Sequence, residues 1–305
     1  MHIITKQFTV YYITRLKKLN ISTKIYLAKE GIRMKNLIAV TLAAAFIFSS
    51  AATSSNAYAE TITTDQVEWG HLNPLRGDAS PAAGKLWGDR TKDEASGFLV
   101  KFKEGFSSPP HIHNITYRGV VIKGRLHNDD PNAEKMWLPA GSFWIQPAGE
   151  AHITAASDKE NLAYIEIDSG PYLVKPTDMA FDNGERPVNV DQSNLVWLDA
   201  SDIDWINEGS NAQRSFLWGK TAAGELNGSL IKLQEGFNGH VSNQGDVFHA
   251  VVISGMVKYI KDSETVNLEA GNYFGGDEIQ DHQISVAEET IIYIRTNNKF
   301  KISSK

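Results

Sequence analysis

Two histidines one residue apart, His111 and His113, are followed 39 residues later by a third, His152. Neutral imidazole is the commonest protein ligand for Zn, Fe, Cu and Ni. Side chains of an extended strand alternate between its faces, so residues 111 and 113 point the same way, as do Ile115 and Tyr117. His152 lies just beyond Pro147-Ala148-Gly149, a turn after which a second strand can face the first pair. Three histidines on one side of an ion leave positions open to water or substrate, the requirement for metal-assisted catalysis. An isolated His-x-His reads as ordinary polar residues in a partly wet interior. Here both segments are punctuated. Five residues separate Gly105 from His111, three separate His113 from Tyr117 and six separate Tyr117 from Gly124; five separate Gly141 from Pro147. That framing points to a metal site.

Tyr117 shares the inward parity of the histidine pair. It can ligate the ion, donate a hydrogen bond to a bound oxygen species, or simply pack. Glu166 and Asp168 are acids of one parity on an expected strand, close enough in sequence to His152 to enter the same interior. Glu166 is the candidate general base or carboxylate ligand, and Asp168 reads as a solvated strand edge. His71 and His127 have no such framing and read as surface or turn residues; the acidic run after His127 is turn-like. Trp87, Trp137, Phe143 and Trp144 can line a pocket for a flat ligand, although aromatics at this density more often form core. The chain has no phosphate-cradling Gly-rich loop, no Gly-x-Ser-x-Gly elbow and no nucleotide fingerprint.

The elements that must position these residues are short. Runs rich in Val, Ile, Phe, Tyr and Trp, broken by Gly, Pro, Asn and Asp, predict strands over 97–103, 117–127, 141–146, 162–167, 229–234, 248–261, 272–274 and 289–296. No stretch after Glu60 sustains a helical period over three turns. The design is repeated: residues 86–124 align without a gap with 217–255, and 14 of the 39 positions are identical. Leu86-Trp87-Gly88 recurs as Leu217-Trp218-Gly219, and Val120-Val121-Ile122 as Val251-Val252-Ile253. Between them 107–119 shares no identity with 238–250: Ser242 stands for His111, Gln244 for His113 and Phe248 for Tyr117, while His282 still matches His152. The second copy therefore keeps scaffold signals and loses the chelating pair. Its remaining His240, His249 and His282 allow a different metal site, which strand parity disfavours unless a bulge intervenes. A linker is expected near 175–189, where Pro176, Asp182-Asn183-Gly184 and Pro187 cluster.

These two framed motifs resemble the signatures of the cupin superfamily. The resemblance implies an all-β fold of two jelly-roll barrels in tandem, preceded by a signal peptide. An N-terminal cupin over 60–182 would hold the metal, and a C-terminal cupin over 183–305 would have degenerate ligands. Cupins usually place a glutamate at the slot of Tyr117 or, with one more spacer, Arg118. A site of neutral histidines without it keeps the full charge of a divalent ion and favours an anionic, bidentate ligand. Three-histidine cupins without the glutamate are similar to iron-dependent thiol and diketone dioxygenases, an analogy of fold rather than of chemistry. In finer detail Trp69–Pro74, Leu86–Arg90, Ser107–Arg118 and Glu166–Val174 resemble a family of bacterial two-cupin proteins grouped as a domain of unknown function, over essentially all of 64–300.

Residues 34–59 read as a secretory signal peptide. Met34-Lys35-Asn36 is a short basic start, Leu37–Phe48 an apolar run too short to span a bilayer comfortably, and Ala57-Tyr58-Ala59 a cleavage site before Glu60. Residues 1–33 look like an upstream extension with translation starting at Met34. Of 30 basic and 36 acidic residues, eight and one precede Glu60; the remaining 246-residue chain has 22 and 35, a net charge of −13. Such a surface disfavours nucleic acid and anionic lipid as partners. With no cysteine, disulfides, thiolate metal sites and cysteine nucleophiles are excluded, and a chain of this size can bury an adequate core without them. The expectation is a periplasmic or secreted protein with one divalent transition metal (Zn, Fe, Mn or Cu) on His111, His113 and His152. It would oxidise, decarboxylate or isomerise a small anionic or enol-type molecule. The alternative is a non-catalytic, metal-dependent binder of a small ligand. Pairing of cupins through their sheets makes a homodimer the analogous assembly.

Overall fold

The computed structural model describes residues 60–261 and 264–305. The expected extension, signal peptide and cleavage site after Ala59 lie outside the described residues. The regular secondary structure of the described residues is β-strand apart from three short 3-10 segments, Pro74–Ala79, Thr177–Met179 and Gln192–Asn194. Among the described residues no helix is long and apolar enough to cross a membrane.

The expected strands form, with one systematic difference. The runs 117–127 and 248–261 each break into two strands, Tyr117–Lys123 with Arg125–Asp129 and Phe248–Ser254 with Met256–Lys261. The break falls at Gly124 and Gly255, whose φ values of 77° and 76° belong to the left-handed region. At Gly124 a Cβ would collide with the Glu160 carbonyl and the Asn161 side chain. The chain turns a corner there and leaves one sheet for another.

In the N-terminal half the large sheet has seven antiparallel strands. Its order is Val188–Val190, Phe143–Gln146, Tyr117–Lys123, Asn161–Ile167, Ser96–Phe102, Ala82–Trp87 and Trp69–His71. Facing it are Ile153–Ala156, Arg125–Asp129 and Leu138–Pro139, and the small pair Ile112–His113 with Val174–Lys175. The C-terminal half repeats this arrangement with a six-stranded and a five-stranded sheet. Each half also takes a strand from the segment that leads into the other. Glu60–Ile62 pairs with the C-terminal strand Tyr273–Gly276, and Val188–Val190, within the expected linker, pairs with the N-terminal strand Phe143–Gln146.

Alternation sorts the side chains into three cores. One fills the N-terminal half with Phe98, Val100, Val121, Trp144, Ala163, Ile165 and Ile167. One fills the C-terminal half around Phe237, Val241, Phe248, Phe274 and Phe300. The third joins the outer faces of the two large sheets through Leu99, Val120, Tyr164, Leu230, Val251 and Tyr293. Burying each large apolar side chain contributes about 1.5–3 kcal/mol. The Leu-Trp-Gly repeat belongs to this third core: Trp87 Nε1 donates to the Tyr164 hydroxyl and Trp218 Nε1 to the Tyr293 hydroxyl, both at 2.9 Å.

Candidate metal centre

The three histidines come together by two kinds of pairing. Residues 111 and 152 form a two-way bridge, each amide nitrogen 3.0 Å from the other's carbonyl oxygen. His113 is held by the strand Ile112–His113 against Val174–Lys175, and its carbonyl accepts from the Gly149 amide at 2.8 Å. All three side chains are buried, and one nitrogen from each lies within 4.8 Å of the others. Among the described residues this is the one group of three or more potential ligands so gathered.

Backbone carbonyls decide which nitrogens are free. His111 Nδ1 lies 2.9 Å from the Pro109 oxygen, His113 Nδ1 3.1 Å from that of Leu173, and His152 Nδ1 3.1 Å from that of Glu150. A carbonyl can only accept, so each Nδ1 carries the proton and each Nε2 keeps its lone pair. Burial holds His152 at about 3, with a further push from His111. Burial followed by the charges of His152 and His111 holds His113 well below the ordinary imidazole value. His111 is lowered by burial and, more weakly, by the charge of Arg76. At neutral pH the trio is uncharged, so a cation need not displace protons to bind. Three neutral imidazoles with fixed tautomers and inward lone pairs fit a divalent transition metal, and the carbonyls behind them are the outer support such ligands require.

Tyr117 lies with the trio, as its parity requires. Its hydroxyl donates to Asn128 Oδ1 at 2.8 Å and lies 3.3 Å from His152 Nε2. Burial raises its pKa, so the phenol stays protonated. Behind it Asn128 Oδ1 also accepts from Thr154, and Asn128 Nδ2 donates to Gln146, whose amide donates to the Glu150 carbonyl. That chain ends on the carbonyl that holds His152. Trp144 lines the same cavity while forming core.

Glu166 is not with the trio. It sits on Asn161–Ile167, whose residues 163, 165 and 167 face the interior, so the parity of 166 is outward, opposite to the expected entry. There it accepts from the Tyr293 hydroxyl at 2.8 Å, the Tyr164 hydroxyl at 3.1 Å and Arg295 at 3.3 Å. Asp168, expected at a solvated edge, bridges Arg118 at 2.9 Å and Arg295 at 2.6 Å. Arg118 also lies 3.6 Å over the Trp218 ring. His71 is exposed, whereas His127 is buried and packs edge-on against Trp137.

Two residues of the chamber were not singled out from the sequence. Tyr172 stacks on His113 at 4.3 Å, with its hydroxyl 3.2 Å from His113 Nε2. Asn114 positions it by binding the Pro171 carbonyl and the Leu173 amide, both at 2.9 Å. Arg76 comes from the 3-10 segment Pro74–Ala79 and lines the same cavity of about 100 Å³. Neither lies at a spacing that ties it to the histidines; the Asn114 beside His113 was the available signal for Tyr172.

Among the described residues the C-terminal half gathers no such histidine trio. Phe248, at the place of Tyr117, stacks on His282 at 4.2 Å, and Tyr259 holds His282 Nδ1 at 3.0 Å. His249 instead stacks on Trp87 at 3.9 Å and bonds Tyr273 at 2.8 Å, and His240 pairs with Asp281 on another strand.

Solved structures with this architecture include a candidate dioxygenase from Nostoc punctiforme, 15% identical with a TM-score of 0.62, covering 82% of this chain and 87% of that one. A salicylate 1,2-dioxygenase from Pseudaminobacter salicylatoxidans is 9% identical with a TM-score of 0.52, covering 90% and 93%. The oxalate decarboxylase of Lactobacillus farciminis is 11% identical with a TM-score of 0.50, covering 80% and 88%. At these identities the likeness is one of fold, and the fold is that of the cupins. No curated protein matches the sequence. The family model described as Domain of unknown function (DUF4437) matches residues 60–303, and the chain belongs to that family.

Proposed function

We propose that this chain is an exported tandem cupin that holds one divalent transition metal on His111, His113 and His152. It would use that metal to oxidise, decarboxylate or isomerise a small anionic or enol-type molecule. The observation that carries the reading is the set of three fixed tautomers: every Nδ1 is committed to a backbone carbonyl, which leaves each Nε2 an unprotonated donor atom in a gathered, buried trio. When bound, the metal supplies Lewis acidity and open coordination positions, and with zinc a water of lowered pKa. The protein supplies the rest. Apolar walls from Val100, Phe102, Phe106 and Ile165 exclude bulk water, and Tyr117 and Tyr172 offer neutral phenols beside the ligand nitrogens. The cavity, of about 100 Å³, suits small molecules; a cavity of about 150 Å³ holds benzene.

The filled C-terminal interior supports a single working barrel, with one repeat acting as scaffold. Export rests on the basic, apolar and small-residue pattern of 34–59, and the mature net charge of −13 favours no polyanionic partner. Elemental analysis of protein purified without a histidine tag tests the centre: about one metal per chain is expected for wild type and a large loss for His111→Ala. Two metals per chain, or metal retained without His111, would overturn it. A tightly held small ligand without turnover would make the protein a receptor instead of an enzyme.

A further inference from the structure

We infer that Arg76 is the anchor for a carboxylate on the ligand, so that the molecule taken up is a small carboxylic acid with a second oxygen or sulfur donor directed at the metal. This rests on the metal reading above and narrows its ligand class. Arg76 is the one Arg or Lys side chain lining the cavity among the described residues, and no Asp or Glu lines it. The other polar side chains at the Arg76 end are already committed. Asn73 accepts from the Leu75 amide, Ser80 donates to the Pro81 carbonyl, Ser108 accepts from the Thr154 amide, and Thr154 donates to Asn128. The Arg76 side chain has neither an acid nor a hydrogen-bond acceptor among the described residues. The other described arginines each have at least one acceptor: Arg118 and Arg295 share Glu166 and Asp168, Arg125 and Arg186 pair with Asp158 and Asp182, and Arg90 and Arg214 donate to the His71 carbonyl and to Ser229 Oγ.

A half-buried guanidinium without a counter-charge, facing a largely apolar cavity, is matched by a planar anion that can take two parallel hydrogen bonds. Residues 60–305 carry a net charge of −13, so within an acidic protein this cation and the metal would be the local attraction for an anion.

The loop that carries Arg76 is built to hold it still. Its ends are tied by the Leu72 amide to the Pro81 carbonyl and by the Asn73 amide to Ser80 Oγ, both at 2.9 Å. Lys103 clamps the Asp78 carbonyl at 3.0 Å. Gly77 follows Arg76 at φ 47° and ψ −132°, a conformation natural only to glycine, and a Cβ there would meet nothing within 4 Å. Gly77→Ala therefore disturbs the placement of Arg76 through backbone strain without a steric clash.

Full-length protein loaded with Co2+ and assayed for metal content would be titrated with glycolate, followed by cobalt visible absorption. Ethylene glycol, of similar size but without a carboxylate, serves as the neutral probe. Arg76→Gln should keep its metal and melt as wild type but bind glycolate about 10- to 100-fold more weakly, the range of a lost charge-assisted hydrogen-bond pair. Arg76→Lys should fall between the two, and Gly77→Ala should weaken glycolate without altering metal content. Ethylene glycol binding should be the same in all four proteins. Equal glycolate affinity in wild type and Arg76→Gln, both fully loaded, would overturn the anchor alone. Failure of wild type to take up metal would overturn the metal centre first and this inference with it.

Discussion

Replacing Glu166 by Gln separates the two places that this residue could serve. Its carboxylate is 1% exposed and accepts from two tyrosine hydroxyls and Arg295, with Arg118 at 3.9 Å. Removing one partner of a buried ion pair costs about 3–5 kcal/mol. Two features place Glu166→Gln at the lower end. The amide keeps an oxygen for one tyrosine, and Asp168 still pairs with both arginines. A loss of about 3 kcal/mol is expected, and at about 2–4 °C per kcal/mol for a protein of this size Tm falls by about 6–12 °C. The histidine trio lies on the far side of this strand, the side of Ile165, so metal content should be unchanged. Thermal melts of metal-free protein and elemental analysis of the loaded protein measure the two quantities separately. Unaltered Tm with lost metal would place Glu166 at the metal and refute the assignment of faces.

Three other outcomes follow from packing and protonation. Gly97 and Gly228 occupy equivalent places beside Trp87 and Trp218, and a Cβ at either would overlap the indole nitrogen. Gly97→Ala and Gly228→Ala should each cost about 2–4 kcal/mol in urea unfolding, from overpacking plus a lost Trp–Tyr hydrogen bond; wild-type midpoints would refute the shared role. Burial holds His152 and His249 at about 3 and His282 at about 4, all below the imidazole value of 6.5. Below pH 6.5 the unfolded chain takes up protons that the folded chain refuses, so metal-free protein should lose stability as pH falls from 6.5 towards 4, by about 1.4 kcal/mol per pH unit for each such histidine. His282→Gln should flatten that slope by one proton, and equal unfolding free energies at pH 7 and pH 5 would refute the neutral-histidine reading.

The histidine trio was legible because it obeys two local rules, strand alternation and turn punctuation. The strands were legible because apolar runs ended at glycine, and the two runs taken as continuous break at Gly124 and Gly255, where a single glycine beside Lys123 or Ser254 is the signal for a corner. Glu166 was misjudged for a different reason. Alternation gives two faces and does not say which is inward until the register is known: Ile167 pairs with Tyr117, and that pairing turns 166 away from the histidines. Arg76 and Tyr172 come from segments joined to the site by the Leu72–Pro81 and Asn114–Leu173 contacts, which span loops rather than strands. No periodicity marks such segments.

The strand Asn161–Ile167 shows why two copies of one design have diverged in their interiors and not at their junction. Its inner face must allow a chamber with three desolvated imidazoles, a buried phenol and the Asn128–Gln146 relay, each of which costs free energy compared with close-packed hydrocarbon. Its outer face makes the opposite contribution, through Tyr164 in the shared core and Glu166 in the charge network with Arg295. In the C-terminal half Phe237, Phe248, Phe274 and Phe300 occupy the interior, so that half needs no compensation for a chamber. Its equivalent strand, Thr290–Thr296, still presents Tyr293 and Arg295 to the junction. The C-terminal half lacks counterparts of His111 and His113 but keeps its Trp–Gly–Tyr unit, and so presents a well-packed surface to the back of the sheet behind the histidine trio.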